Sequence, residues 1–90
     1  MKKKIAVIVR ERQAEALRMG IGLTILNDEV NIFVLDRRLA DTEEVRFNLD
    51  MIRELHLKLY TKSDGNGQGE VIPVEEIAER LLQYDHVLPY

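Results

Sequence analysis

The chain contains no cysteine, two prolines, two histidines and a single serine. Without cysteine there can be no disulfide, no thiolate metal ligand, no cysteine nucleophile and no persulfide chemistry. Long apolar runs are missing too. The N-terminal MKKK is followed only by Ile5 to Val9 before Arg10 intervenes. That is too short for the h-region of a signal peptide or for a membrane span. The expectation is a cytoplasmic protein without a membrane partner. Positive charge is not in excess, with 13 Lys and Arg against 16 Asp and Glu and a net charge of −3. No global attraction draws the chain to nucleic acid or to an anionic membrane, so no direct nucleic-acid contact is expected. Any anion site has to be local.

Several chemical signatures are absent as well. A dinucleotide site needs G-x-G-x-x-G between the first strand and its helix, and a P-loop needs G-x-x-x-x-G-K-[ST]. The turn here is Arg10-Glu11-Arg12-Gln13, without glycine. The stretch Gly65-Asn66-Gly67-Gln68-Gly69 lacks the lysine and does not run directly into a helix. It reads as a flexible connector, glycine permitting positive φ. Ser63 has no G-x-S-x-G around it. His56 and His86 fall at the beginnings of strands, on the amino edge. With no positioned carboxylate they make neither a metal site nor a triad. Nothing assembles a nucleophile, a base and oxyanion donors. No catalytic residue, metal ligand or cofactor is assigned, and the chain is not expected to be an enzyme.

What is present is a strict alternation of strands and helices. Ninety residues make one domain, 1–90, of a size that often adds stability by oligomerising. KIAVIV at Lys4–Val9 is a β-branched run typical of a strand covered on both faces. From 13 to 26, Ala14, Leu17, Ile21 and Ile25 repeat near a four-residue spacing. The second half of that helix, MGIGLTIL, is apolar nearly all round, which predicts packing on more than one side, against another subunit. Gly20 and Gly22 each cost roughly 1 kcal/mol against alanine, a cost that close approach of another backbone would explain. VNIFVL at 30–35 is a second strand. Asp41 with Glu44, or Thr42, caps a helix ending near Leu55, with Val45, Leu49 and Ile52 inward and Phe47 and Met51 off that stripe. LHLKLYT at 55–61 gives a third strand. After the glycines, Pro73 opens a helix whose Val74, Ile77, Ala78, Leu81 and Leu82 form one face and whose Glu75, Glu76 and Glu79 lie outside. DHVLPY at 85–90 closes as an edge strand, because Pro89 cannot donate to a ladder. Tyr84 and Tyr90 flank it and suit an interface.

The fold class is therefore α/β: a four-stranded parallel sheet, strand order 2-1-3-4, with three helices on its two faces. Ligands bind such sheets beyond the carboxyl ends of the strands, where the strand order reverses. In that order the reversal lies between the first and third strands, where Arg10, Arg12, Thr61, Lys62 and Ser63 meet, with Arg37 and Arg38 adjacent. Arginine's planar fork suits carboxylate and phosphate, so these seven residues are the candidate anion or partner site. The plain alternative is solvated loop charge paired with Glu11, Asp36 and Asp64.

KIAVIV, EALRMGIGLTILNDEVNIFVLD, LHLKLYT and GEVIPVEEIAERLLQYDHVLPY together give the chain a resemblance to the DsrE/DsrF/DsrH-like superfamily, which includes the Tus sulfur-relay subunits. The resemblance spans nearly the whole chain as a pattern of elements and apolar positions. It implies a small α/β protein working as a homo-oligomer, commonly a trimer or hexamer, or as a hetero-oligomer with cysteine-bearing relatives. In several such proteins a cysteine just after the third strand carries sulfur as a persulfide. Its counterpart here would fall near Thr61, Lys62 or Ser63, none of which can carry one. The implied role is that of a cysteine-free partner subunit of the DsrH/TusB kind in sulfur relay, or of a stand-alone paralogue. A small-anion-binding module is the alternative.

Overall fold

The computed structural model describes residues 3–26, 29–35, 39–62 and 69–90. β1 (Lys4–Val9) is buried from Ile5 to Val9 and leads into α1 (Gln13–Ile25). β2 (Glu29–Val34) follows, then α2 (Glu43–Glu54), β3 (Lys58–Thr61) and the two-residue β4 (Glu70–Val71). α3 (Val74–Leu81) and β5 (His86–Pro89) complete the chain. Every described strand pairing is parallel, in the order β4-β3-β2-β1-β5.

The α/β class and the three helices on two faces hold, but the sheet has five strands rather than four, and order 2-1-3-4 is wrong. β2, not β3, lies beside β1 on that flank. Burial gives the reason. Ile32 and Phe33 point to opposite faces and both are fully buried, which the two-sided cover of an interior strand provides. β1 to β2 to β3 is a stepwise march in one direction. Right-handed crossovers made in succession that way place their helices on one face. α1 and α2 accordingly share a face with Ile5, Val7, Val9, Val30, Ile32, Val34 and Leu59 in one core. The chain then returns across the sheet to β5, and α3 lands on the other face over Ala6, Ile8, Phe33 and Tyr60. β5 with Pro89 is at an edge, as its proline requires.

Local details choose between the sequence alternatives or correct them. Of the two caps offered for α2 it is Thr42 rather than Asp41, and its Oγ1 accepts from the Val45 N–H at 3.2 Å. The third strand begins at Lys58 because the chain reverses at Leu55 and His56. There Leu57 N–H donates to Ile52 O and His56 N–H to Arg53 O, both at 3.1 Å. This is the Schellman pattern, with His56 at φ 58° where glycine is usual. On α3 only Ile77 is buried. Val74, Ala78 and Leu82 of its apolar set face outward. No helix among the described residues is long and apolar enough to cross a membrane.

Candidate functional site

At the carboxyl edge, the strand order reverses between β1 and β5, not between β1 and β3. Arg10 and Arg12 follow β1 and therefore stand at the reversal, opposite Pro89 and Tyr90. The connection is tied down on both sides. Tyr90 N–H donates to Ile8 O and Arg12 N–H donates to Tyr90 O, each at 2.9 Å. Between them is a shallow cleft of about 280 Å³ lined by Arg10, Glu11, Arg12, Pro89 and Tyr90. α1 starts at its wall, adding the positive end of a helix to the two guanidinium groups. Glu11 shares the cleft and Glu15 approaches Arg12 at 3.9 Å, so the positive charge is partly offset.

The other sequence-derived candidates do not converge there. Thr61 and Lys62 do end β3 on the same edge of the sheet, as parallel strands require. β2 intervenes, however, which separates the β1 and β3 ends by about 10 Å, two inter-strand spacings. Thr61 is buried and its carbonyl accepts the Ile72 N–H at 2.9 Å, which serves the turn into α3. Lys62 is exposed. Arg37, Arg38 and Ser63 lie outside the described residues, as do Gly65 and Gly67 of the glycine-rich stretch.

The larger concavity is on the opposite edge. It measures about 630 Å³ and opens between the amino ends of β1, β2 and β3 and the end of α3. Among the described residues its basic groups are Lys4, Lys58 and Arg80, with the exposed His56 also in the lining and Glu29 as the one lining carboxylate. A ring cluster builds the inner wall. Phe33 stacks on Tyr60 with centroids 5.2 Å apart and meets Tyr84 edge-on at 5.8 Å. Arg80 lies over the Tyr60 ring and the Lys4 ammonium over the Tyr84 ring, both at 4.8 Å from the centroid. Asn31 Nδ2 donates to the Tyr84 hydroxyl at 2.5 Å. Burial pushes the Tyr84 phenol above its ordinary value, against the lowering effect of that Asn31 bond.

Sequence reasoning passed over this cavity. His56 stands at the amino edge, as its place before the third strand predicts, and Lys4, Asn31, Lys58, Arg80 and Tyr84 join it there without any motif to announce them. One signal was available: Asn31 interrupts VNIFV, and a polar side chain within a two-sided strand needs a partner. Register does the rest, since Asn31 and Lys58 are direct neighbours across β2 and β3.

Among the described residues no group of three His, Cys, Asp or Glu side chains could hold a metal ion. Compared with family models, with curated proteins and with solved structures, the chain matches none.

Proposed function

We propose that this chain is a non-catalytic, oligomer-forming α/β domain of DsrE-like kind, acting as a cysteine-free partner subunit. One observation carries the reading. Gly22 sits inside α1, and among the described residues nothing beyond its chain neighbours and the local helix backbone comes within 4 Å of where its Cβ would be. A glycine there costs the helix about 1 kcal/mol against alanine, and nothing in the packing of the described residues requires it. Gly20 on the same helix is different, because its missing Cβ makes room for Ile32. The return for Gly22 comes from outside, as space for an approaching backbone. Its surroundings agree: Ile25 and Leu26 are 71% and 73% exposed on α1, and Phe47 is 66% exposed on α2. The Arg18–Glu44 pair, 3.9 Å, aligns the flanks of the two helices. Gly22 and Ile25 continue that flank of α1 at i+4 and i+7, and Phe47 and Met51 continue that of α2 at i+3 and i+7.

The occupant is a second copy of this chain or a cysteine-bearing relative that supplies the thiol this one lacks, in sulfur relay. Light scattering after size exclusion separates these outcomes. Self-assembly gives a mass at a multiple of 10.5 kDa, returned to 10.5 kDa by Ile25→Glu with Phe47→Glu. Both positions are exposed, so stability should stay within about 0.5 kcal/mol. A monomer at every concentration that also retains no cysteine-bearing relative in pull-down from its host rejects the reading.

A second reading has its own observation. The cleft at the β1–β5 reversal places Arg10 and Arg12 at a helix start, which supports binding of a small anion there. Loss of phosphate- or sulfate-induced thermal stabilisation in Arg10→Ala/Arg12→Ala would support it. Stabilisation unchanged by those substitutions would reject it.

A further inference from the structure

We propose that the amino-edge cavity is a binding site for a small, multiply charged organic anion, a phosphate monoester or a polycarboxylate. Charge comes first. Among the described residues three cations line it against one carboxylate, Glu29, in a chain whose net charge is −3. Arg80 is partly neutralised by Glu76 at 3.0 Å. Lys4 and Lys58 are not: among the described residues no carboxylate lies within ion-pair distance of either. Two ammonium groups without an ion-pair partner among the described residues border one concavity, where an anion can be attracted by both. Glu29 shares the lining, and the Asp85 carboxylate accepts the Lys4 backbone N–H at 2.7 Å.

Construction comes second. Two of the three cations are held over rings packed around the buried Phe33, Lys4 over Tyr84 and Arg80 over Tyr60, while Lys58 is exposed at the mouth. The Asn31–Tyr84 hydrogen bond fixes the polar floor between them. His56 is kept at the rim by a left-handed backbone conformation that glycine would adopt without cost.

Size comes third. About 630 Å³ is in the range of small-molecule sites, roughly 300–1,000 Å³. It far exceeds what one phosphate or sulfate needs, so the anionic groups are carried on an organic frame.

The test is an amide-resolved NMR titration of the full ¹⁵N-labelled chain with glucose 6-phosphate and with citrate. Sodium chloride at matched ionic strength is the control. Saturable shifts are expected at Lys4, Asn31, Lys58 and Tyr84 with at least one probe, and the better probe identifies the anion class. Lys4→Ala/Lys58→Ala should weaken binding roughly tenfold or more, charge-assisted bonds being the strong ones. The spectrum of that variant reports its own folding, and Lys58→Gln alone, at an exposed position, is the fallback. Arg10→Ala/Arg12→Ala should leave binding unchanged, which separates this site from the carboxyl-edge cleft. No saturable shift with either probe, shifts centred on residues 10–12, or an unaffected double variant would each overturn the proposal.

Discussion

Gly69 has both a φ of +78° and no room for a side chain, since a Cβ there would stand 2.4 Å from the carbonyl oxygen of Leu59. The obstacle is backbone of β3, which cannot swing aside as a side-chain tip can. Gly69→Ala should therefore lose at least the roughly 1–2 kcal/mol of a left-handed L-residue, plus the cost of displacing β4 from β3. Urea denaturation of the variant checks this, and an unchanged midpoint would contradict the placement. So one glycine of the glycine-rich stretch is a packing residue as well as part of a connector. Nothing in the sequence marks Gly69 for this role, because what requires glycine there is the nearby Leu59 carbonyl. Asn31 is the opposite case. Its polarity within an apolar strand was visible in the sequence, while its partner Tyr84, far along the chain, was not.

At the scale of elements, α1 carries two glycines that the sequence treats alike and the fold treats differently. Gly20 is buried on β2, where an added Cβ would meet Ile32 Cδ1 at 2.9 Å. Gly20→Ala gains about 1 kcal/mol of helix propensity but overpacks the core at a cost of about 1–3 kcal/mol, so it should be neutral to destabilising. Gly22→Ala meets open space and should stabilise the isolated chain by about 1 kcal/mol while weakening self-association. Thermal melts at low concentration, set beside light scattering at high concentration, read the two effects separately. A Gly22→Ala that associates as well as the parent would remove the main support for the assembly surface. The elements themselves were mostly legible. β-Branched runs marked β1 and β2, and four-residue apolar spacing marked the helices. β4 was not, because Glu70–Val71 is too short for any periodicity and is held only by pairing with Tyr60 and Thr61.

For the whole molecule, the sheet separates two outer layers of unequal cover, α1 with α2 on one face and α3 alone on the other. The smaller cover over the second face leaves the amino-edge cavity open beside α3. Exposed apolar groups on both outer layers, Ile25 and Phe47 on one and Val74 and Leu82 on the other, are more than the chain's own core uses. If association covers the first group, native stability is linked to concentration. The melting temperature should rise with protein concentration in the parent chain and become independent of it in Ile25→Glu/Phe47→Glu. A parent melting temperature that does not move over the same range would count against assembly through α1 and α2.

The sequence by itself determined the absence of thiol chemistry, the alternation of strands and helices apart from β4, the parallel sheet and the edge position of the proline strand. These follow from local residue preferences and from the obligatory pairing of backbone groups. Only the tertiary structure decided the strand order, and with it which loops meet. A crossover can step onward or turn back with almost the same local sequence, and burial of both Ile32 and Phe33 settles the choice for β2. That one choice moved the carboxyl-edge reversal to Arg10, Arg12 and Tyr90. It also brought Lys4, Asn31, Lys58, Arg80 and Tyr84 around one cavity, from segments with no sequence motif in common.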